Sequence, residues 1–311
     1  MLLQTPRLNA CFGGAEANVA VSLARFGHET AMASVLPDNA IGQAARDSLR
    51  MHGVDTGAIV FAPGRMGLYF LTPGAGQRAA EVLYDRAGSA AASAAPDAID
   101  WSRALAGADW LHVSGVTAAV SGAGAEAALA AMRAARACGV KVSYDANFRA
   151  KLWQARGDDP RPTLDGLMVE ADFACAEERD VALITGERFA TGEEAIAAAF
   201  ARYPKLARIA HTIRTPHSSD ANDLCAVMHT RTGQFSAPTM AITGIVDRIG
   251  GGDAFAAGVL HGLARGLDEQ DLLGFALAAA CLKHFTPGDF NLVSEEDVRF
   301  FIANPKADVR R

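Results

Sequence analysis

The sequence predicts an α/β fold in which helices cover both faces of a mostly parallel sheet. Apolar runs of strand length alternate with longer alanine-rich segments that have helical periodicity. The strand-like runs are residues 109–115, 140–148, 171–177 and 207–215, and the helical segments are residues 122–139 and 192–204. Short strands that alternate with helices favour parallel pairing, because each helix carries the chain back to the same end of the sheet. Since 50% of the 311 residues are hydrophobic, the chain can bury a large core, and we predict a single domain over residues 1–311.

Residues 64–90 interrupt this alternation. They contain two short strand-like runs, GLYFL and EVLYDR, and the segment between them contains PGAG. Turn glycines between alternating apolar and polar positions are typical of a β-hairpin. We expect this hairpin to stand out from the main sheet as a small β lid.

The composition argues against several classes of function. The formal net charge is −6 and no cluster of Lys and Arg is present, so nucleic-acid binding is not expected. No uninterrupted apolar run is long enough to cross a membrane, and we expect no signal peptide. The five cysteines are scattered without CxxC spacing, which is typical of a reducing compartment. We therefore expect a cytoplasmic protein that acts on small molecules.

The most informative segment is DRIGGGDAFAAG at residues 247–258. Gly250, Gly251 and Gly252 precede a helical pattern of small residues, so they lie where backbone N–H groups are unpaired and the helix dipole is positive. Such a place binds anions, and glycines let a phosphate approach the backbone closely. Asp253 follows at once and has two interpretations. It is either an ordinary first-turn acid or a base that takes a proton from a hydroxyl beside the phosphate.

A second glycine-rich segment, GGAEANVAVSLARFG, lies at residues 13–27. A glycine pair there precedes a predicted helix with Glu16 and Asn18 in its first turn, a common place for polar residues. Ligands of parallel α/β folds bind beyond the carboxyl ends of the strands. That rule predicts a common rim for Asp145, Asn147 and Glu177.

The two glycine-rich segments together resemble the paired signatures of the ribokinase-like (PfkB-type) carbohydrate kinases. Four further stretches resemble the 2-keto-3-deoxygluconate kinase branch of that family: GLYFL, YDRAGSA (84–90), SYDANFRAKLW (143–153) and LKHFTPGDFN (282–291). The resemblance extends from Gly13 to Asn291, which is nearly the whole chain. It implies a three-layer α/β/α fold with a mostly parallel central sheet and a small β lid.

The resemblance also implies roles for individual residues. Asp253 matches the family's base, which removes the proton of a primary sugar hydroxyl, and Gly250, Gly251 and Gly252 match the N–H donors for the transferring phosphoryl group. Residues that match the substrate site are Gly13, Gly14, Tyr69, Tyr84, Arg86 and Arg149. Two arginines suit a sugar acid, because Arg binds a carboxylate through two parallel hydrogen bonds. The alternatives are surface salt bridges for the two arginines and a place in the apolar core of the lid for Tyr69.

Transfer from ATP implies Mg²⁺, which one or two carboxylates usually hold through water. The family commonly places N-x-x-E after a central strand for this purpose, and the matching stretch here is Glu177-Glu178-Arg179-Asp180. Asp180 keeps an acid at the last position, so it is a candidate for a water-mediated metal ligand. The alternative is an acidic residue that only stabilises the start of a helix.

The sequence departs from its relatives at three places. Only 12 residues precede Gly13, so we expect the first strand of the family to be shortened or missing. Arg248 stands where the family usually has Thr, and Gly251 stands where it usually has Ala. The segment after residues 207–215 lacks the glycine pattern that many relatives use around the nucleotide.

The function predicted from the sequence is an ATP-dependent kinase for 2-keto-3-deoxygluconate that phosphorylates the 6-hydroxyl. One alternative is a kinase for another sugar, such as ribose or fructose, and another is a catalytically weak sugar-binding relative. The intact run Gly250–Asp253 favours a kinase, because sugar binding alone needs no base there. The strand edges of the lid hairpin favour a homo-oligomer.

Overall fold

The structure is a computed structural model, and it describes residues 7–304. Its strands are β1 (Thr30–Pro37), β2 (Val54–Ala62), β3 (Leu68–Thr72), β4 (Glu81–Asp85), β5 (Trp110–Ser114), β6 (Lys141–Asp145), β7 (Phe173–Cys175), β8 (Arg208–Pro216), β9 (Ala221–Thr230) and β10 (Gln234–Thr243). The four strands predicted from the sequence correspond to β5, β6, β7 and β8; the first three are shorter than predicted, and β8 is shifted by one residue.

The helices surround the strands in chain order. They are α1 (Ala15–Arg25), α2 (Ala40–Met51), α3 (Ala90–Ser93), α4 (Trp101–Ala104), α5 (Gly115–Val120), α6 (Gly122–Ala137), α7 (Ala150–Arg156), α8 (Arg161–Glu170), α9 (Glu178–Thr185), α10 (Gly192–Arg202), α11 (Gly251–Arg265), α12 (Glu269–Lys283) and α13 (Glu295–Ala303). Helices α6 and α10 confirm the two predicted helical segments. Helices α1 and α11 follow the two glycine-rich segments, as predicted.

The main sheet has six strands in the order β10-β9-β8-β7-β6-β5. Strands β5 to β8 pair in parallel, whereas β9 and β10 add antiparallel ladders at one edge. Strands β1 and β2 form a separate parallel pair. The prediction of a mostly parallel sheet is confirmed.

Helices pack on both faces of the main sheet and give three layers. Successive strand residues point to opposite faces, so Ala174 and Ile209 join the core on the α6, α8, α9 and α10 side. Their neighbours Phe173 and Ala210 join the core on the α1, α11, α12 and α13 side. Strands β7 and β8 therefore each contribute to two apolar cores, which accounts for their continuous apolar runs in the sequence.

The predicted hairpin is also confirmed. Strands β3 and β4 pair antiparallel in a sheet of their own, with Tyr69 opposite Tyr84. Along β4 the half-buried side chains are those of Val82 and Tyr84, and this alternation continues to Arg86, whereas the residues between them are exposed. One face of the hairpin therefore points into the protein, as a lid requires.

The expected shortening of the first strand falls partly on residues 1–6, which lie outside the described residues. The stretch from Arg7 to Gly14 contains no strand. None of the helices between residues 7 and 304 is both long and apolar enough to span a bilayer.

Candidate active site

A cavity of about 760 Å³ lies between the lid hairpin, the carboxyl ends of β6 and β7, and the start of α11. Most of the site residues predicted from the sequence line it: Gly14, Tyr69, Tyr84, Arg86, Arg149, Asp180, Gly250, Gly252 and Asp253. Gly13 and Gly251 do not line the cavity but pack directly behind it. Segments that are far apart in the chain therefore meet at one place.

The rim predicted from the strand ends also borders this cavity. Asp145 is the last residue of β6, Glu177 follows β7, and Asn147 lies between β6 and α7. Asn147 has a φ of 33°, and its N–H donates to Asp145 Oδ1 at 3.2 Å. This sharp turn brings the chain to Arg149, the N-cap residue of α7, at the mouth of the cavity. Backbone strain of this kind is often kept where a site depends on it.

The start of α11 has the geometry of an anion site. Gly250 is the N-cap residue with a φ of 81°, and no side chain caps the helix. A Cβ at Gly250 would lie 2.1 Å from the carbonyl oxygen of Asp289, whereas a Cβ at Gly252 would meet nothing within 4 Å. Gly250 is therefore required by the turn, and Gly252 leaves open space above the first N–H groups of the helix. The positive end of the helix dipole favours an anion in that space.

The third glycine of the run has a different place. Gly251 is buried, and a Cβ there would lie 3.0 Å from Cε1 of His284. Its N–H points back to the carbonyl oxygen of Arg248, although the distance of 3.4 Å makes this a long contact. The cavity is lined on either side of it by Gly250 and Gly252, so Gly251 contributes mainly to the packing of the turn.

Asp253 lies in the first turn of α11 and faces the cavity. Its pKa is raised to about 7, chiefly by burial and also by the negative charges of Glu16 and Asp289. Asn18 opposes this shift, because its Nδ2 donates to Asp253 Oδ2 at 2.6 Å. Asn18 is itself held by the N–H of Gly14, which donates to its Oδ1 at 3.3 Å. A carboxylate whose pKa is near neutrality is suited to act as a general base.

The lid reaches the floor of the cavity through one hydrogen bond. The hydroxyl of Tyr69 donates to Oδ1 of Asp289, and this partner raises the pKa of Tyr69 in addition to burial. Asp289 in turn packs against Gly13, since a Cβ at Gly13 would overlap its carboxylate at 2.1 Å. Tyr69 thus contacts the floor of the cavity in addition to its place in the lid. Gly13 has no side chain and so makes room for Asp289, the acid that Tyr69 contacts.

Arg86 and Arg149 both line the cavity, and neither guanidinium forms an ion pair within residues 7–304. The Arg86 guanidinium lies 4.8 Å from the ring centre of Tyr84 and 5.6 Å from that of Tyr69. Contacts of this type hold the cation without neutralising it. The alternative of surface salt bridges is therefore not observed, and both cations remain available to a ligand.

Asp145 adds a second carboxylate with a perturbed pKa. Burial raises its pKa to about 8, and the negative charge of Asp253 contributes next, whereas Arg149 opposes the shift. Two interacting carboxylates that share a cavity titrate as a pair. The site therefore contains two buried carboxylates whose pKa values are both raised into the neutral range.

Asp180 lines the cavity, but one of its oxygens is engaged locally. The N–H of Glu177 donates to Asp180 Oδ2 at 2.8 Å at the start of α9. Burial raises the pKa of Asp180. Asp180 thus stabilises the helix start, and its second carboxylate oxygen is the one left for a metal-bound water.

Lys283 was not identified from the sequence, although it lies in the segment LKHFTPGDFN. It is fully buried, and a Cβ at Gly250 would lie 3.2 Å from its Cε. Burial lowers its pKa, whereas the nearby carboxylates of Asp247, Asp289 and Asp253 favour the charged form. It adds a positive group directly behind the helix start.

Asn18 and Asp289 were also not assigned a role from the sequence. Asn18 is 235 residues from Asp253, and Tyr69 is 220 residues from Asp289, so no local pattern connects the partners. The only sequence signal was that Asn18 lies in GGAEANVAVSLARFG and Asp289 lies in LKHFTPGDFN, two of the segments that carry the resemblance.

Arg248 connects the glycine run to the loop between β8 and β9. Its Nη2 donates to the carbonyl oxygen of Ser218 at 2.8 Å and to Oδ1 of Asn222 at 3.2 Å. Arg248 also lines the cavity. The residue that departs from the family pattern therefore fixes the loop that replaces the expected glycine-rich segment.

Comparisons with known proteins agree with this geometry. A family model described as pfkB family carbohydrate kinase matches residues 2–295. The 2-dehydro-3-deoxygalactonokinase of Haloferax volcanii is 30% identical over 303 residues, which are 96% of this chain and 89% of that protein. A fructokinase of Klebsiella pneumoniae is 30% identical over 268 residues, 83% of this chain and 78% of that protein.

Solved structures agree as well. The crystal structure of 2-dehydro-3-deoxygluconokinase from Thermotoga maritima superposes with a TM-score of 0.91 at 33% identity, over 97% of this chain and 94% of that one. The family match covers most of the chain, and the fold is the one that the resemblance implied. The chain belongs to the PfkB family of carbohydrate kinases and is a phosphotransferase that acts on a sugar.

Proposed function

We propose that the protein transfers the γ-phosphoryl group of ATP to the primary 6-hydroxyl of 2-keto-3-deoxygluconate. The observation that carries this proposal is the pair of unpaired guanidinium groups, Arg86 and Arg149, which share one cavity with Asp253. A sugar acid has a carboxylate at one end and a primary hydroxyl at the other. The two arginines would hold the carboxylate, and Asp253 would receive the proton of the hydroxyl.

The acceptor's carboxylate is the feature that two arginines recognise best. A planar guanidinium binds a carboxylate through two hydrogen bonds, and such charge-assisted bonds are roughly twice as strong as neutral ones. A neutral sugar would leave the two charges without a partner. The same geometry supports the galactonate epimer equally well, because no carboxylate contact distinguishes the two epimers.

The residues present also suit MgATP. The uncapped start of α11 and the open space at Gly252 fit a phosphate group. The carboxylates of Asp180 and Glu177 at the opposite wall offer the oxygen ligands that Mg²⁺ prefers, directly or through water. When bound, ATP supplies the phosphoryl group and Mg²⁺ neutralises part of its charge.

The chain's own groups would perform the remaining steps. Asp253, oriented by Asn18, accepts the hydroxyl proton as the sugar oxygen forms its bond to phosphorus. The first N–H groups of α11 stabilise the charge on the transferring group, and Lys283 adds positive potential behind them. The lid, held down by the hydrogen bond between Tyr69 and Asp289, keeps water away from the acceptor.

The second candidate is a kinase for a neutral sugar of the fructose type, which one relative's name supports. A coupled assay of ADP formation with MgATP discriminates the two. It compares 2-keto-3-deoxygluconate and its galactonate epimer with fructose, ribose and gluconate. We expect kcat/KM to be at least about 100-fold higher for the keto-deoxy acids than for fructose and ribose, since the charge-assisted bonds that a neutral sugar loses are worth about 1.5–3 kcal/mol each. Equal or better turnover of fructose would overturn the substrate proposal while leaving the kinase assignment intact.

We also propose that the protein is a cytoplasmic homo-oligomer that pairs through the lid. The outer face of the hairpin exposes Leu68 and Leu83 at 42% and 57%. Exposed apolar side chains on a two-stranded sheet favour association with a second copy. Light scattering during size-exclusion chromatography should give at least twice the monomer mass, and Leu83→Lys should lower it. A monomeric mass for the unmodified chain would exclude this assembly.

A further inference from the structure

Glu178, His211 and His229 form a cluster on the sheet face that α9 and α10 cover. His211 is in β8 and His229 is in β9, while Glu178 is the first residue of α9. In the ladder His229 is opposite Ile209, two residues before His211, so both imidazoles lie on the same face. Their ring centres are 6.0 Å apart with an angle of 20° between the planes. The three side chains therefore converge from three different elements.

The two histidines are buried without the hydrogen bonds that buried imidazoles normally have. They are only 7% and 8% exposed. His211 Nδ1 and His229 Nε2 have no hydrogen-bond partner among the residues that the structure describes. The closest approach of His211 Nε2 to Glu178 Oε1 is 3.9 Å, which is too long for a hydrogen bond. Unsatisfied buried polar groups are costly, so an unexplained pair of them needs a ligand.

We propose that this cluster binds a divalent transition-metal ion of the zinc type, with Glu178, His211 and His229 as its protein ligands. One ligand atom from each residue lies within 4.8 Å of the others. A tetrahedral Zn²⁺ with bonds of about 2.1 Å separates its ligand atoms by about 3.4 Å. Side-chain rotations that move each atom by about 1 Å close this difference. The partly exposed Glu178 leaves the fourth position open to water.

The donor set separates this site from the one proposed for MgATP. Two neutral imidazoles and one carboxylate suit Zn²⁺ and its neighbours in the first transition row, whereas Mg²⁺ prefers oxygen ligands alone. Glu177 and Asp180, the acids that line the cavity, belong to the same helix start but are not members of the cluster. His211 itself lines the cavity, so the metal would bind in the cavity wall, beside these acids.

The stem of the Glu178 side chain packs against the start of α10. It passes so close to Gly192, the first residue of α10, that a Cβ there would lie 2.8 Å from its Cγ. A bound metal would connect α9 to β8 and β9 through the carboxylate of Glu178. We expect it to stabilise the start of α9 and thereby the wall of the kinase site.

Cobalt is the probe for this proposal, because tetrahedral Co²⁺ ligated by nitrogen and oxygen has visible absorption bands. The full-length protein is treated with a chelator, dialysed and titrated with Co²⁺, and then with Zn²⁺ in competition. We expect one equivalent to bind with tetrahedral bands that Zn²⁺ displaces. His229→Gln should weaken binding at least about 100-fold, since changes outside the first ligand shell alone cost about 10–100-fold.

The matched control is His217→Gln in the same protein. His217 is exposed and its Nε2 is 2.8 Å from Oδ2 of Asp223, so it forms a histidine–carboxylate pair outside the cluster. This variant should bind Co²⁺ as the unmodified chain does. Because His229→Gln could impair folding, Glu178→Gln at the half-exposed end of the cluster is tested in parallel and should also lose binding.

Three results would overturn the proposal. The first is no binding of Co²⁺ or Zn²⁺ at micromolar concentration by the well-folded unmodified chain. The second is unchanged binding by both His229→Gln and Glu178→Gln. The third is a spectrum dominated by thiolate charge-transfer bands, which would place the metal on the cysteines. A melting temperature raised by Zn²⁺ in the unmodified chain but not in Glu178→Gln would support the proposal independently of kinase activity.

Discussion

At the scale of single residues, the proposed mechanism depends on the protonation state of Asp253. Its pKa is raised to about 7 chiefly by burial, and only the deprotonated carboxylate can accept a proton. Because the folded-state pKa lies above the usual value for Asp, the active fraction is lost as pH falls through about 7. We expect kcat/KM to fall about tenfold per pH unit below that value. The neighbouring Asp145, whose pKa is raised to about 8, couples to this titration.

The measurement for this prediction is a pH–rate profile between pH 5 and 9 at limiting sugar acid. Glu16→Gln is the informative comparison, because the charge of Glu16 raises the pKa of Asp253 and its removal should shift the profile to lower pH. A profile that stays flat between pH 5 and 8 would show that no group with a pKa near 7 is needed.

Arg149 offers a second test at this scale. Its exposed side chain lines the cavity without an ion pair, so Arg149→Ala should leave folding intact. We expect KM for the sugar acid to rise roughly 10- to 150-fold, the equivalent of losing a charge-assisted bond of about 1.5–3 kcal/mol. KM for ATP should change less than about threefold. Steady-state kinetics with each substrate varied in turn measure both values.

Lys151→Ala is the control for that variant, since Lys151 is an exposed residue of the same helix α7 and does not line the cavity. It should leave both KM values unchanged. Equal effects of Arg149→Ala on the two substrates would mean that Arg149 supports the structure of the site and does not hold the acid.

The site residues that could be predicted from the sequence lie in segments with a recognisable local pattern. The glycine run was predicted to bind an anion because glycines before a helix have a local physical meaning, whereas the role of Asp253 as the base came from the resemblance to the carbohydrate kinases. The partners Asn18, Asp289 and Lys283 were missed, because they act through contacts with residues far away in the chain. Hydrogen bonds across more than 200 residues leave no periodicity to detect.

At the scale of elements, the start of α11 contains two glycines with different roles. The turn requires Gly250, whereas Gly252 leaves open space for a ligand. Gly250 has a φ of 81°, and a Cβ would overlap the carbonyl oxygen of Asp289. Gly250→Ala should therefore lower the free energy of unfolding by at least about 1–3 kcal/mol, the cost of strained backbone. Gly252→Ala has free space for its Cβ, so stability should be unchanged or slightly higher.

The two variants should separate stability from activity. Gly250→Ala should lose stability, whereas Gly252→Ala should keep its stability and lose activity. The Cβ of Gly252→Ala would fill the space above the helix start, so kcat should fall strongly although the melting temperature is kept. Thermal unfolding and steady-state kinetics on both variants check this. Full activity of Gly252→Ala would contradict a phosphate at that place.

The elements themselves were predicted unevenly. The buried strands β5 to β8 were found, because short apolar runs between helical segments are distinctive. Strands β9 and β10 were not identified. In β9, buried Asn222 and His229 lie among the apolar positions, so the residues inside the sheet do not form an apolar pattern. The predicted strand at 171–177 is only Phe173–Cys175, although the N–H groups of Asp172 and Ala176 still donate to Val142 in β6 and Ala210 in β8.

At the scale of the whole molecule, the fold brings the two glycine-rich ends of the chain together. Helix α1 packs against α11, so Asn18 reaches Asp253, and the lid closes on Asp289 from the opposite side. The three-layer arrangement followed from the alternation in the sequence. The division into a six-stranded sheet and a separate pair, β1 and β2, could not be predicted from that alternation, because strand order depends on long-range packing.

The most direct test of the central claim is the rate of ADP formation by the unmodified chain and by Asp253→Asn. Both are measured with MgATP and saturating 2-keto-3-deoxygluconate. The amide keeps an acceptor for the hydrogen bond from Asn18, so binding should be retained, but it cannot accept the proton. We expect kcat to fall at least about 100-fold with little change in KM, since general-base catalysis contributes about 10²–10⁴-fold. Unchanged turnover by Asp253→Asn would contradict the assignment of Asp253 as the base and with it the proposed mechanism.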